Sequence, residues 1–248
     1  MSNKNTFLPT IMDNIPSFDK MIAEGKRIMW TMVQYKEMQM VYNCALREIK
    51  TKFEVLDAEF DLKNKRNPIS SIQTRLKSTE SVMKKLAKYR LPATIEAIEN
   101  GVHDFAGVRV ICSYIDDIYS IAEAFLAQDD VTLIEKKDYI ENPKPNGYRS
   151  LHLIVSIPVF FSDRKKNVTA EVQIRTVAMD FWASLEHQMR YKRNVTDGIT
   201  DELRECAAAI AATDEKMLEI RERIDAAEDI DSEDDELLSR LQNIARSF

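Results

Sequence analysis

The 248-residue sequence holds only five glycines, and none stands in a G-x-G-x-x-G or G-x-x-x-x-G-K-[ST] pattern. A cradle of backbone amides around phosphates is therefore not expected, and side chains would have to hold any phosphate bound here. Cysteine is as scarce. Cys44, Cys112 and Cys206 are odd in number, far apart and without C-x-x-C spacing, which argues against a disulfide framework or a zinc knuckle. No apolar run approaches the roughly 20 residues that a membrane span needs. Met1 to Pro16 lacks the basic and apolar segments of a secretory signal, so a cytoplasmic address is expected. Asn167-Val-Thr169 and Asn194-Val-Thr196 are accordingly read as chance matches to the glycosylation sequon.

Excess positive charge is also missing. The net charge of −6 argues against a chain whose main role is to coat nucleic acid. The average conceals an asymmetry: from Lys63 to Arg90 every charged residue is basic except Glu80, whereas the charge of Asp201 to Glu236 is dominated by acids. A local anion site on an acidic protein is the simplest reading.

What is present organises the chain. Residues 1–16 show no sustained period and are expected to form a mobile arm. From Phe18 to Leu62, apolar residues recur at helical spacing, predicting a long amphipathic helix with room for one break. A polar break spans Lys63 to Pro68, and Ser78 to Arg90 predicts a helix that Leu91-Pro92 ends. Runs rich in β-formers follow at Val108–Tyr114, Val131–Lys136, Leu151–Phe161 and Val168–Arg175, with a helix expected over Asp116–Ala127. Helical spacing returns over Val177–Tyr191 and again over Ile199–Ala227. The acidic Asp229–Glu236 stretch is expected to fray or to lead into a last short helix. The predicted class is α+β, a mixed sheet carrying the chemistry between flanking helices.

Three sets of residues suit nucleotide chemistry. Arg75 and Lys77 fall on one side of an extended segment, Ser81 and Lys85 share a helix face, and helix N-terminal amides near Ser78 add attraction for anions. Asp104 precedes the strand bearing Arg109, and period two places Glu171, Gln173 and Arg175 on one strand face. Two carboxylates on neighbouring strands can hold Mg²⁺ against triphosphate oxygens, because that ion takes few protein ligands and several waters. Strand-edge ion pairs with the arginines explain the same residues more plainly. In the third set, Pro143, Pro145 and Asn146-Gly147 mark a loop that delivers Tyr148, Arg149 and His152 to the entry of a strand. An aromatic face beside cations suits a purine base and its phosphates.

Taken in order, Arg75-x-Lys77-Ser78, Asp104-Phe-Ala-Gly-Val-Arg109, Asp138-Tyr-Ile through Asn146-Gly-Tyr-Arg-Ser-Leu-His152, Glu171-Val-Gln-Ile-Arg-Thr176 and Trp182-x-x-x-Glu186-His187-x-x-x-Tyr191-Lys192 resemble the motifs of RelA/SpoT-type (p)ppGpp synthetases. The resemblance is close over residues 63–193, and the helical flanks 17–62 and 194–248 are similar to those of the stand-alone small alarmone synthetases. It implies a nucleotidyltransferase-like mixed sheet that transfers pyrophosphate from ATP to the 3′-hydroxyl of GTP or GDP. Arg75, Lys77, Ser78, Ser81, Lys85 and Arg109 would then bind ATP. Lys144, Asn146, Tyr148, His152, Gln173 and Arg175 would serve GTP or GDP, with Tyr148 stacked on guanine. Asp104 and Glu171 would hold Mg²⁺, or Mn²⁺ in its place, with Glu171 activating the 3′-hydroxyl. The resemblance also implies a homotetramer assembled through the flanking helices. The three histidines, His103, His152 and His187, do not form the metal set of the hydrolase domain that long family members carry. Two other readings stand beside this one: pyrophosphate transfer to the 3′ end of a tRNA, and an RNA-binding regulator without catalysis. The acidic balance weighs against the first, and the presence together of Asp104, Glu171 and Tyr148 weighs against the second.

Overall fold

A computed structural model of the chain describes residues 18–64, 66–192 and 197–245; the expected N-terminal arm lies outside the described residues. Helix α1 runs unbroken from Phe18 to Asn64, so the break allowed for in this segment does not occur. Its second half buries Met38, Val41, Tyr42, Ala45, Leu46, Ile49, Phe53 and Leu56, spaced three and four residues apart as one stripe against the sheet. Ahead of that stripe, Ile28, Met29, Trp30, Met32 and Val33 are exposed.

Strand β1 (Ile69–Leu76) follows, then α2 (Thr79–Tyr89), α3 (Ile95–Gly101), β2 (Ala106–Cys112) and α4 (Ile115–Leu126). Of β1 only the extended segment at Arg75 was expected, and the short α3 was not expected as an element. β1 is an edge strand, paired on one side only, and carries no continuous apolar run. Ser78 caps α2 by accepting from the Ser81 amide, and Arg90 ends it in the left-handed conformation with φ 55°.

The chain continues through β3 (Thr132–Asp138), β4 (Leu151–Phe160), β5 (Lys165–Thr176), α5 (Val177–Lys192) and α6 (Asp197–Ala245). The acidic stretch expected to fray or to link two helices lies inside α6. The five strands form one sheet in the order β1-β2-β5-β4-β3, antiparallel except for the parallel pair β2–β5. This is the mixed α+β architecture that the alternation of patterns predicts. Along β5, Val168, Ala170, Val172 and Ile174 are buried, while Glu171 and Gln173 alternate onto the other face. That period puts the core on one side of the sheet and the polar cleft on the other. A second, smaller cluster of Trp182, Ala183, Leu203 and Ala207 joins α5 to α6, and Tyr148 packs on it. Among the described residues no helix is long and apolar enough to cross a membrane.

Candidate active site

Register builds the site. Arg75 on β1 faces Gly107 on β2, which faces Glu171 on β5. Two residues further along the sheet, Gln73, Arg109, Gln173, His152 and Lys137 form a second row across all five strands. Asp104 stands just before β2. A cavity of about 140 Å³ is lined by Arg75, Asp104, Gly107, Arg109, Glu171 and Gln173, among others. A second, of about 320 Å³, is lined on its polar side by Lys85, His103, Asp104, Glu135, Lys137 and Glu171. Asp104 and Glu171 belong to both and so stand where the two spaces meet.

Each carboxylate is held ionised. One oxygen of Asp104 accepts from Lys77 Nζ and the other from Lys85 Nζ, both at 2.8 Å. Burial opposes the charge, but these two ammonium groups outweigh it and keep the carboxyl below its ordinary range. Burial opposes ionisation of Glu171 as well. His152, through a hydrogen bond and its charge when protonated, and the Gln173 amide outweigh that effect, against repulsion from Asp104. That repulsion places the two carboxylates in each other's field.

Glu171 is one member of a closed hydrogen-bonded ring. Its Oε1 lies 3.0 Å from His152 Nδ1, and His152 Nε2 lies 2.8 Å from Tyr148 Oη. Arg175 Nη2 donates to Tyr148 Oη at 2.8 Å and to Gln173 Oε1 at 2.6 Å, and Gln173 Nε2 donates to Glu171 Oε2 at 2.7 Å. Burial pushes the Tyr148 phenol up, so it keeps its proton beside the His152 ring. Arg175 is 2% exposed, and its Nη1 also reaches Asp180, which pairs with Arg109 at 3.2 Å. Asp180 is a site residue that the sequence pattern did not single out; it lies in the first turn of α5, where helical spacing draws the eye to Met179 and Trp182.

The loop before β4 presents a second device. Lys144 Nζ sits 4.3 Å from the Tyr139 ring centroid and 4.5 Å from that of Tyr148. Burial pulls its pKa down. Asn146 braces the loop, since its Oδ1 accepts from the Tyr148 amide and its Nδ2 donates to Glu186. Ser78 and Ser81 are likewise engaged with each other at the start of α2, away from the cavity walls. The structure thus brings Arg75, Asp104, Arg109, Glu171 and Gln173 to one cavity, adds Lys77 and Lys85 through Asp104, and joins Tyr148, His152 and Arg175 through the ring. Arg109 Nε is buried without a hydrogen-bond partner, as is Arg175 Nε, which leaves donor capacity at the site.

Residues 74–196 match the family model described as a region found in RelA / SpoT proteins. The chain is 45% identical over 196 residues to the GTP pyrophosphokinase YwaC of Bacillus subtilis, covering 78% of this chain and 93% of that one. It is 33% identical to the GTP pyrophosphokinase YjbM of the same organism, covering 79% and 92%. Among solved structures it is similar to the small alarmone synthetase 2 of Bacillus subtilis, with a TM-score of 0.69 and 44% identity over 76% of this chain and 98% of that one. Small alarmone synthetase 1 of the same organism, bound to its product pppGpp, superposes with a TM-score of 0.71 at 33% identity, covering 77% and 98%. Near-complete coverage of these relatives at this identity carries the assignment: the chain belongs to the RelA/SpoT family, among its small alarmone synthetases.

Proposed function

We propose that the chain transfers the β,γ-pyrophosphate of ATP to the 3′-hydroxyl of GTP or GDP, releasing AMP and forming pppGpp or ppGpp, the alarmones of the stringent response. The observation that carries this reading is the pair Asp104 and Glu171, shared by two adjoining cavities, one walled by arginines and the other flanked by lysines. Arg75 and Arg109, which line the first cavity, offer flat cationic faces for adenine. Lys77 and Lys85 exchange Asp104 for the triphosphate, which frees both oxygens of that carboxylate.

The donor set fits a hard divalent ion. Two ionised carboxylates line the same two cavities, a donor set open to an ion that completes its shell with water and phosphate oxygens. Asp104 and Glu171 would hold Mg²⁺ or Mn²⁺, which when bound neutralises charge on the phosphates of the transferred group.

On the acceptor side, guanine takes the face of Tyr148 that Lys144 now covers, and the displaced ammonium turns to the 5′-phosphates. Glu171 accepts the proton of the 3′-hydroxyl. The 3′-oxygen bonds to the β-phosphorus as the bond from that phosphorus to the α,β-bridging oxygen breaks, and AMP departs with the electron pair. His152 and Gln173 fix the Glu171 carboxylate throughout, so positioning supplies most of the catalysis. We further propose that residues 63–193 form the catalytic unit, that four copies assemble through the flanks and that the enzyme works in the cytoplasm. Incubation with ATP, Mg²⁺ and either GTP or GDP, followed by separation of the nucleotides, tests the reading. AMP together with a guanosine tetra- or pentaphosphate supports it, whereas transfer to tRNA ends alone supports the other acceptor.

A further inference from the structure

Helix α6 begins at Asp197, beyond the residues 74–196 that the family model matches, yet one of its stripes lies across the back of the acceptor loop. Arg204, Ala207, Ala211 and Asp214 recur at intervals of three and four and so share a face. Arg204 Nε donates to the carbonyl oxygen of Pro145 at 2.9 Å. Ala207 abuts Gly147, whose φ of +88° and closeness leave no room: a Cβ there would collide with the Ala207 methyl. The same alanine helps form the cluster on which Tyr148 packs. Lower on the stripe, Asp214 Oδ2 accepts from Thr176 Oγ1 at 2.6 Å, at the end of the strand that carries Glu171, Gln173 and Arg175. Trp182 Nε1 locks the upper part by donating to the Leu203 carbonyl.

The loop needs such support. Two of its residues are prolines without an amide donor, and its own backbone bonds are few, chiefly Lys144 N to Tyr148 O and Gly147 N to Lys144 O. Between those bonds the Pro145 carbonyl turns outward and meets α6. A loop fixed at its tip by a helix outside the sheet holds its aromatic platform at a set height above the cleft.

We propose that Arg204 and Ala207 of α6 are positioning residues for the acceptor nucleotide, setting the loop that carries Lys144 and Tyr148 while leaving the donor site untouched. This rests on the assignment of Tyr148 to the guanine acceptor. The small side chain at position 207 sets how closely the loop approaches the helix, and the guanidinium at 204 holds it there. The hydrogen bonds and ion pairs of the donor side, built on β1, β2 and α2, involve neither residue.

The test uses steady-state kinetics with the full chain, varying ATP and GTP separately. Arg204 is 56% exposed at its side chain, so Arg204→Ala should fold normally. Loss of one hydrogen bond should raise the KM for GTP by about 2- to 12-fold, with the KM for ATP and the melting temperature unchanged. Arg204→Lys, which can still donate to the Pro145 carbonyl, should restore most of the acceptor affinity. Ala207→Leu should push the loop away and raise the GTP KM further than Arg204→Ala, again without moving that for ATP. Equal changes for both nucleotides, or an unchanged GTP KM in both variants, would overturn the role of α6 while leaving the proposed reaction in place. A wild-type chain that makes no AMP with any guanine nucleotide would overturn the reaction itself, and this inference with it.

Discussion

Tyr148 Oη lies 2.8 Å from His152 Nε2, and the other nitrogen of that imidazole faces the carboxylate of Glu171. The residue proposed to stack on the acceptor base is thus two hydrogen bonds from the proposed base. Ring and hydroxyl therefore have separable roles. Tyr148→Ala should lose roughly 1–3 kcal/mol of stacking, about 5- to 150-fold in affinity for GTP or GDP. Tyr148→Phe keeps the ring and should retain most of that affinity, while kcat falls because Arg175 and His152 lose their shared partner. Calorimetric titration beside initial rates separates the two effects. An equal loss of ATP and GTP binding in Tyr148→Ala would mean that the ring serves only packing.

Glu171→Gln removes charge and proton acceptor together, and it sets an amide against the Gln173 Nε2 donor. Turnover should drop by about 10²–10⁴-fold or more, with the melting temperature close to wild type. Asp104→Asn should fail in a similar way and recover in part with excess Mg²⁺. Near-normal rates from either variant in an AMP-release assay would show that the carboxylates are not the reacting pair.

Arg75 is the exposed wall of the first cavity, apart from the ring that involves Tyr148. Arg75→Ala should weaken ATP, by about 0.5–2 kcal/mol for a lost cationic face, and leave GTP binding alone. The opposite pattern would exchange the donor and acceptor assignments.

How much of this was legible depended on which force fixed each element. β2, β4, β5 and most helices followed from apolar pattern, because burial imposes it, whereas β3 showed through its β-forming residues although they are exposed. Most of β1 escaped because Ser70, Ser71, Gln73 and Thr74 are polar, and its place is set by pairing with β2. Glu171, Gln173 and Arg175 could be grouped by alternation along one strand. Their closure through His152 needed the register of β4 on β5, which no local pattern encodes. The amphipathic spacing of α6 was visible to about Ala227. That Arg204 and Asp214 reach back to Pro145 and Thr176 was not, since those contacts join residues 59 and 38 positions apart.

The N-terminal half of α1 bears on assembly. Met29, Trp30 and Met32 are 63%, 64% and 63% exposed within one turn, far more apolar surface than isolated exposed residues present. A second copy of the chain is expected to cover it. Light scattering at micromolar concentration should give a tetramer, and Trp30→Glu should shift it to smaller species. A wild-type monomer would defeat this expectation. Truncation after Lys192 should cost more than assembly, because it also removes the side chains that grip Pro145 and Thr176.

Asp214 contributes one part of the pH dependence of stability, opposite in sign to that of Asp104 and Glu171. Burial raises its pKa above the ordinary value, despite the Thr176 hydrogen bond and nearby Arg149. A raised carboxyl pKa means that the folded chain holds the proton more tightly than the unfolded one. The folded state is therefore favoured below the unfolded pKa, loses that advantage as pH climbs through the folded pKa, and carries the charge at a loss above it. Asp214→Asn keeps an oxygen to accept from Thr176 without the charge. It should melt higher than wild type at neutral pH, with the difference shrinking to nothing as pH falls below the ordinary aspartate range. Calorimetric melting of both proteins across that range checks the sign. A variant that melts lower at neutral pH and draws level in acid would mean that the ionised carboxylate stabilises the junction of β5 and α5.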